Sequence, residues 1–169
     1  MTDTSSKPFT PAPAIDPRTV EVPLIARRDL PAGAHVTPIR VVTPADMEKL
    51  RLRLSERDLG YLDERKFAGD LGQIARLPGD DGATHLVLMG AGEPGKDVEG
   101  ELRAGRLSRT LPEGHYRYDA LPRDWDAGRA AIGWALGAYQ FADYLPEARI
   151  APVLVMGEDD PAAESVLVA

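Results

Sequence analysis

The sequence predicts an α/β sandwich: a mixed, mostly parallel sheet flanked by helices, with one antiparallel hairpin. Three observations carry that prediction. Apolar, β-rich runs alternate with helical stretches along most of the chain, the order that builds parallel sheets covered by helices. The run His85-Leu86-Val87-Leu88-Met89 is continuously apolar after its first residue, as in a central strand covered on both faces. The stretch Asp126 to Tyr144, DAGRAAIGWALGAYQFADY, is apolar on almost every side when laid out as a helix. Its later polar residues, Arg129, Gln140 and Asp143, fall on one narrow stripe, so other elements are expected to cover the rest. Gly133 and Gly137 leave that helix without side chains on one flank, where a neighbouring backbone can approach closely.

Composition sets the bounds. At 169 residues, with 43% hydrophobic and 28% charged residues, the chain has the length and make-up of one domain with a real core. The net charge of −7 argues against nucleic acid as a bulk electrostatic partner. The absence of cysteine removes disulfides and thiolate metal sites and fits a reducing, cytoplasmic setting. The G-x-x-x-G spacing of Gly133 and Gly137 also occurs in membrane helix dimers, but this apolar stretch is too short to span a bilayer and contains Arg129 and Gln140.

The elements follow in order. Residues 1–17, rich in Pro, Ser and Thr and without the apolar core of a signal peptide, read as a disordered tail. Val20 to Arg27 contains Pro23 and reads as an edge strand or a strand start. Leu30 to Pro38 is a turn-rich connector, and Ile39 to Thr43 a short strand. Thr43-Pro44-Ala45-Asp46 opens a helix with a Thr cap, Pro in the first turn and an early acid. Met47, Leu50 and Leu54 mark its buried face, and Gly60 its end; Tyr61 to Ala68 is a second short helical piece. The charged run Arg51 to Arg57, followed by Asp58, reads as a solvated helix face.

Gln73 to Leu77 and Thr84 to Met89 flank Pro78-Gly79-Asp80-Asp81-Gly82, the pattern of a hairpin. Asp97 to Leu107 is a helix interrupted by Gly100 and Gly105, and His115 to Leu121 a strand. Asp124 or Asp126 caps the apolar helix and Pro146 stops it. Ile150 to Met156 is the last strand. Asp160-Pro161 then opens a helix that lacks a stop signal before Ala169 and is expected to continue into a further segment.

The sharpest chemical motif is Gly90-Ala91-Gly92-Glu93-Pro94-Gly95-Lys96-Asp97. It satisfies G-x-G-x-x-G and nearly satisfies the P-loop pattern, between a strand and a helix as both require. Gly90, Gly92, Gly95 and Lys96 are therefore the candidate cofactor-binding residues, for a nucleotide or ADP-ribose. Against this stand Asp97 where a metal-binding hydroxyl is wanted, Pro94 without an N–H, and Glu93 beside the would-be anion. The alternative is a plain strand-to-helix turn. Val153 to Met156 followed by Glu158 and Asp159 has the look of a metal-holding strand end, although hydrophobic strands often end in acids. His35, His85 and His115 have no ligand partner at metal spacing, and no serine sits in a nucleophile elbow. No catalytic or metal residue is assigned.

Three segments, LPEGHYRYDALP, AAIGWALGAYQFADY and ARIAPVLVMGEDDPAAE, together with Gly72-Gln73-Ile74 through Pro78-Gly79, resemble the N-terminal domain of bacterial leucyl aminopeptidases of the M17 family. The A-x-G-W-A-L-G-A-Y helix, Ala131 to Tyr139, is the most specific part, and the resemblance spans Val20 to Ala169. It implies a macro-domain-like three-layer sandwich over residues 18–157, with residues 158–169 beginning a linker helix toward a separate C-terminal catalytic domain. In that family the catalytic domain holds two divalent metals (zinc, manganese or magnesium), removes N-terminal amino acids from peptides and assembles as a homo-hexamer in the cytoplasm. Its N-T-D-A-E-G-R motif is absent here, so this chain alone is expected to be inactive and to contribute to assembly and active-site access. The competing readings are a free-standing macro-like module binding a nucleotide or ADP-ribose at Gly90–Lys96, and a purely structural partner domain.

Overall fold

The computed structural model describes residues 23–95, 100–139 and 150–157. Strand β4 (Thr84–Gly90) shows why a sheet lies at its centre. Side chains alternate across a strand, so Leu86 and Leu88 enter one apolar cluster while Val87 and Met89 enter another on the opposite face. The six-stranded order is β1-β6-β5-β2-β4-β3, with β1 Leu24–Ala26, β2 Val36–Val42, β3 Ile74–Pro78, β5 His115–Ala120 and β6 Val153–Met156. Every pairing is parallel except the hairpin β3–β4, which is antiparallel with Ala75 opposite Leu88. The α/β class, the hairpin and the edge position of β1 agree with the sequence-based expectation.

Helices α1 (Pro44–Arg51) and α2 (Glu56–Glu64) cover one face through Met47, Leu50 and Leu62. Helices α3 (Gly105–Thr110) and α4 (Ala127–Ala138), with a 3₁₀ turn over Gly100–Ala104, cover the other through Leu107, Ala131 and Trp134. Trp134 is fully buried and its Nε1–H donates to the Pro152 carbonyl at 3.2 Å, tying α4 to the lead-in of β6. Its ring also meets Tyr116 and Tyr118 of β5, with centroids 6.0 and 6.4 Å away.

The two glycines of α4 do what their spacing promised. A Cβ on Gly133 would come within 2.8 Å of the Glu101 carbonyl and the Leu102 Cα, and one on Gly137 would overlap the Gly105 backbone. Gly105 itself faces the Gly133 carbonyl, so α3 and α4 cross backbone to backbone. Gly100 and Gly105 are therefore packing positions as well as helix interruptions.

Four expectations need correction. β2 starts at Val36 and includes Pro38, which sits where β2 pairs with β5 alone, since the β4 register begins at Ile39. Gly60 lies inside α2; the break falls at Leu52–Ser55, and the Ser55 side chain accepts from the Asp58 N–H to start the new helix. Asp58 is not on a solvated face: it is 6% exposed. Helix α4 is not covered all round, because Ile132, Leu136 and Tyr139 remain exposed on one stripe. The tail at residues 1–17, Gln140 to Arg149 with Pro146, and the helix expected from Asp160 lie outside the described residues.

Candidate functional site

The backbone of the glycine loop, the candidate nucleotide site, is already committed. The Gly90 N–H donates to the Gln73 carbonyl at 2.8 Å, Ala91 N–H to Val42 at 2.8 Å and Gly92 N–H to Gly69 at 3.0 Å. Donors that face protein carbonyls are not free to cradle a phosphate. The glycines serve packing and turning instead. A Cβ on Gly90 would overlap the Asp70 carbonyl, and Gly92 has φ +72° with Leu71 pressed against it. Gly95 also has positive φ but lies in open space; Lys96 and Asp97 fall outside the described residues. The hollow between this loop, Pro122 and Trp125 offers about 10 Å³, the room of a single water.

The histidines are likewise scattered. His85 stands at the edge of β4 and its Nε2 lies 3.0 Å from Asp58 Oδ1, while Ser55 Oγ donates to Asp58 Oδ2 at 2.8 Å. Burial pushes the Asp58 carboxyl up, but the hydrogen bonds from His85 and Ser55 and the His85 charge outweigh it and hold the carboxyl below its usual value. The serine and histidine both touch the carboxylate rather than each other, so no nucleophile–base relay is formed. The cluster joins α2 to the hairpin. Sequence reading missed the His85 contact because His85 meets Asp58 only through tertiary packing, whereas Ser55 and Asp58, three residues apart, form a local cap.

A second buried carboxylate, Glu101, accepts from the Asp126 N–H at 3.2 Å and lies 3.7 Å from Arg129, at the N-terminus of α4, where negative charge is favoured. Burial pushes the Tyr118 hydroxyl well above the usual phenol range, and it has no hydrogen-bond partner among the described residues. Among the described residues no group of three or more His, Asp or Glu side chains is arranged to hold a metal ion. The two-metal centre implied by the family resemblance does not fit these residues, and no chemical step is routed through it. No helix among them is long and apolar enough to cross a membrane.

The fold and its interior therefore define a class: a three-layer α/β/α domain whose buried polar groups cap helices and tie elements together. The comparisons sharpen this. The family model described as the M17 aminopeptidase N-terminal domain matches residues 37–157. The chain belongs to the M17 aminopeptidase N-terminal domain family. A probable cytosol aminopeptidase of Leifsonia xyli subsp. xyli is 30% identical over 102 residues, covering 56% of this chain and 21% of that protein. Among solved structures, cytosol aminopeptidase from Coxiella burnetii aligns with a TM-score of 0.65 at 22% identity, over 86% of this chain and 30% of that one. A mutant tomato leucine aminopeptidase aligns at 0.56 and 15% identity, over 79% of this chain and 32% of that one. The bottromycin maturation enzyme BotP aligns at 0.55 and 19% identity, over 79% and 30%. This chain thus spans between a fifth and a third of the length of these relatives.

Proposed function

We propose that this chain is the non-catalytic N-terminal domain of a cytoplasmic leucyl aminopeptidase. In this reading it works beside a C-terminal catalytic domain that carries two divalent metals and removes N-terminal amino acids from peptides. Its own contribution is to homo-hexamer assembly and to access of peptides to the active sites. Residues 158–169 lead into the linker helix toward that domain. The observation that carries the reading is the family match over residues 37–157, which falls on five of the six strands and on both helical layers. The committed N–H groups of Gly90, Ala91 and Gly92 weigh against the nucleotide or ADP-ribose alternative at that loop.

The test keeps domain and whole enzyme apart. A two-metal peptidase needs carboxylates converging on ions roughly 3.5–4 Å apart with a position for the attacking water. The 169-residue chain is expected to release no leucine from a leucyl anilide with manganese or zinc present. Joined to an M17 catalytic domain, it should support that hydrolysis. Deleting Val20 to Met156 from the joined protein should then disturb hexamer formation or peptide-length selectivity, read by analytical ultracentrifugation and by a peptide series. Metal-dependent leucyl hydrolysis by the 169-residue chain alone would overturn the reading.

A further inference from the structure

Adjacent strands β2 and β5 send their following helices to opposite faces of the sheet: α1 and α2 cover one, α4 the other. Between their C-terminal ends lies the topological switch point, where open α/β sheets form a crevice suited to ligands. A cleft of about 490 Å³ opens there, inside the roughly 300–1,000 Å³ range of small-molecule sites. Val42, Leu50, Leu121 and Pro122 give it apolar walls.

Its charged lining is basic, in a chain whose net charge is −7. Arg40, Lys49, Arg53 and Arg123 face two carboxylates, and both carboxylates are engaged. Asp46 Oδ2 accepts from the Thr43 hydroxyl at 2.7 Å and the Thr43 N–H at 3.4 Å, forming the capping box of α1. Asp119 accepts from Arg40 Nε at 2.8 Å, with Arg117 3.6 Å away. Lys49, Arg53 and Arg123 have no hydrogen-bond or ion-pair partner among the described residues, although each borders the same cleft. Lys49 in α1 and Arg53 just past its end lie four residues apart, and the fold brings Arg123 of the β5 exit loop to the same cleft as these two uncompensated cations.

We infer that this cleft binds a small molecule bearing a phosphate group on an apolar or aromatic body. Guanidinium forks match phosphate oxygens in pairs, and the lysine adds a point charge. The apolar walls take the body of the ligand. A single concave site in an acidic chain fits a small anion rather than the phosphate track of a nucleic acid. This cleft adjoins the hollow at the glycine loop, with Pro122 lining both, and it stands or falls independently of the assembly role proposed above.

The experiment is a ¹⁵N–¹H NMR titration of the 169-residue chain with 1-naphthyl phosphate, inorganic phosphate and 1-naphthol. Naphthyl phosphate should give saturating shifts at Val42, Lys49, Leu121 and Arg123, weakened by added salt. Each of the other two probes should bind at least about tenfold more weakly, since each lacks one half of the recognised group. The combined variant Lys49→Ala/Arg53→Ala/Arg123→Ala should raise the naphthyl phosphate dissociation constant at least about tenfold with an unchanged melting temperature. Arg27→Ala/Arg28→Ala, beyond the β1 edge, should leave it unchanged. Non-saturating shifts up to about 10 mM would overturn the inference. So would saturable binding that the triple variant leaves intact, or 1-naphthol binding as tightly as its phosphate.

Discussion

Replacing Gly137 by Ala tests the backbone crossing of α3 and α4 with one methyl group. A Cβ at this position would overlap the carbonyl, Cα and carbonyl carbon of Gly105, all backbone atoms that no rotamer change can move. The two helices must therefore separate, at the overpacking cost of about 1–3 kcal/mol. Against this stands the better helix propensity of Ala, worth about 1 kcal/mol in a helix interior. Because the obstacle is main chain, the upper part of the overpacking range applies, leaving a net loss of about 1–2 kcal/mol. Gly60→Ala is the matched control. Gly60 also sits inside a helix, α2, but a Cβ there meets nothing within 4 Å. Only the propensity gain remains, so it should stabilise by about 0.5–1 kcal/mol. For a domain of this size each kcal/mol moves the melting temperature by about 2–4 °C. Thermal melts followed by circular dichroism should place Gly137→Ala below the parent and Gly60→Ala above it. A Gly137→Ala protein melting at or above the parent would refute the crossing. Gly133→Leu, aimed at the Glu101 carbonyl and the Leu102 Cα, should fall further than Gly137→Ala.

Two further perturbations probe the buried polar contacts. Trp134→Ala empties a fully buried site and should cost about 3–5 kcal/mol, whereas Trp134→Phe keeps most of the ring volume but strands the Pro152 carbonyl, for about 1–3 kcal/mol in urea titrations. Asp58 has a folded carboxyl value below the unfolded one, so its contribution is present above the unfolded value, near pH 4, and is lost as pH falls through the folded value. Asp58→Asn should therefore be less stable than the parent at pH 7, with the gap narrowing as pH falls below the unfolded value; a gap that stays constant with pH would refute the role assigned to the His85 and Ser55 contacts.

Local pattern announced much of this molecule. The continuous run of β4 required two covered faces, and the structure supplies α2 behind Leu88 and α4 behind Val87 and Met89. Thr43, Pro44 and Asp46 specified a helix start through chemistry that acts within four residues, and the capping box formed as that chemistry dictates. Gly133 and Gly137 announced a close approach because a missing side chain is visible in sequence. Their partner was not visible: Gly105 lies in another segment and meets α4 only after folding. The same limit explains the glycine loop, where the motif reads as a phosphate cradle and the N–H groups are taken by Gln73, Val42 and Gly69 from neighbouring strands and turns. The misplaced helix break has a local cause instead: Ser55 and Asp58, three residues apart, form an N-cap that overrides the general breaker signal of Gly60. Sequence by itself thus determined the periodicities, the caps and the family resemblance, because these depend on residues close together or on the chain as a string. Only the tertiary structure decided that Asp58 is buried against His85, and that Arg40, Lys49, Arg53 and Arg123 share a cleft. Burial and charge pairing depend on which distant segments the sheet order brings within a few ångströms.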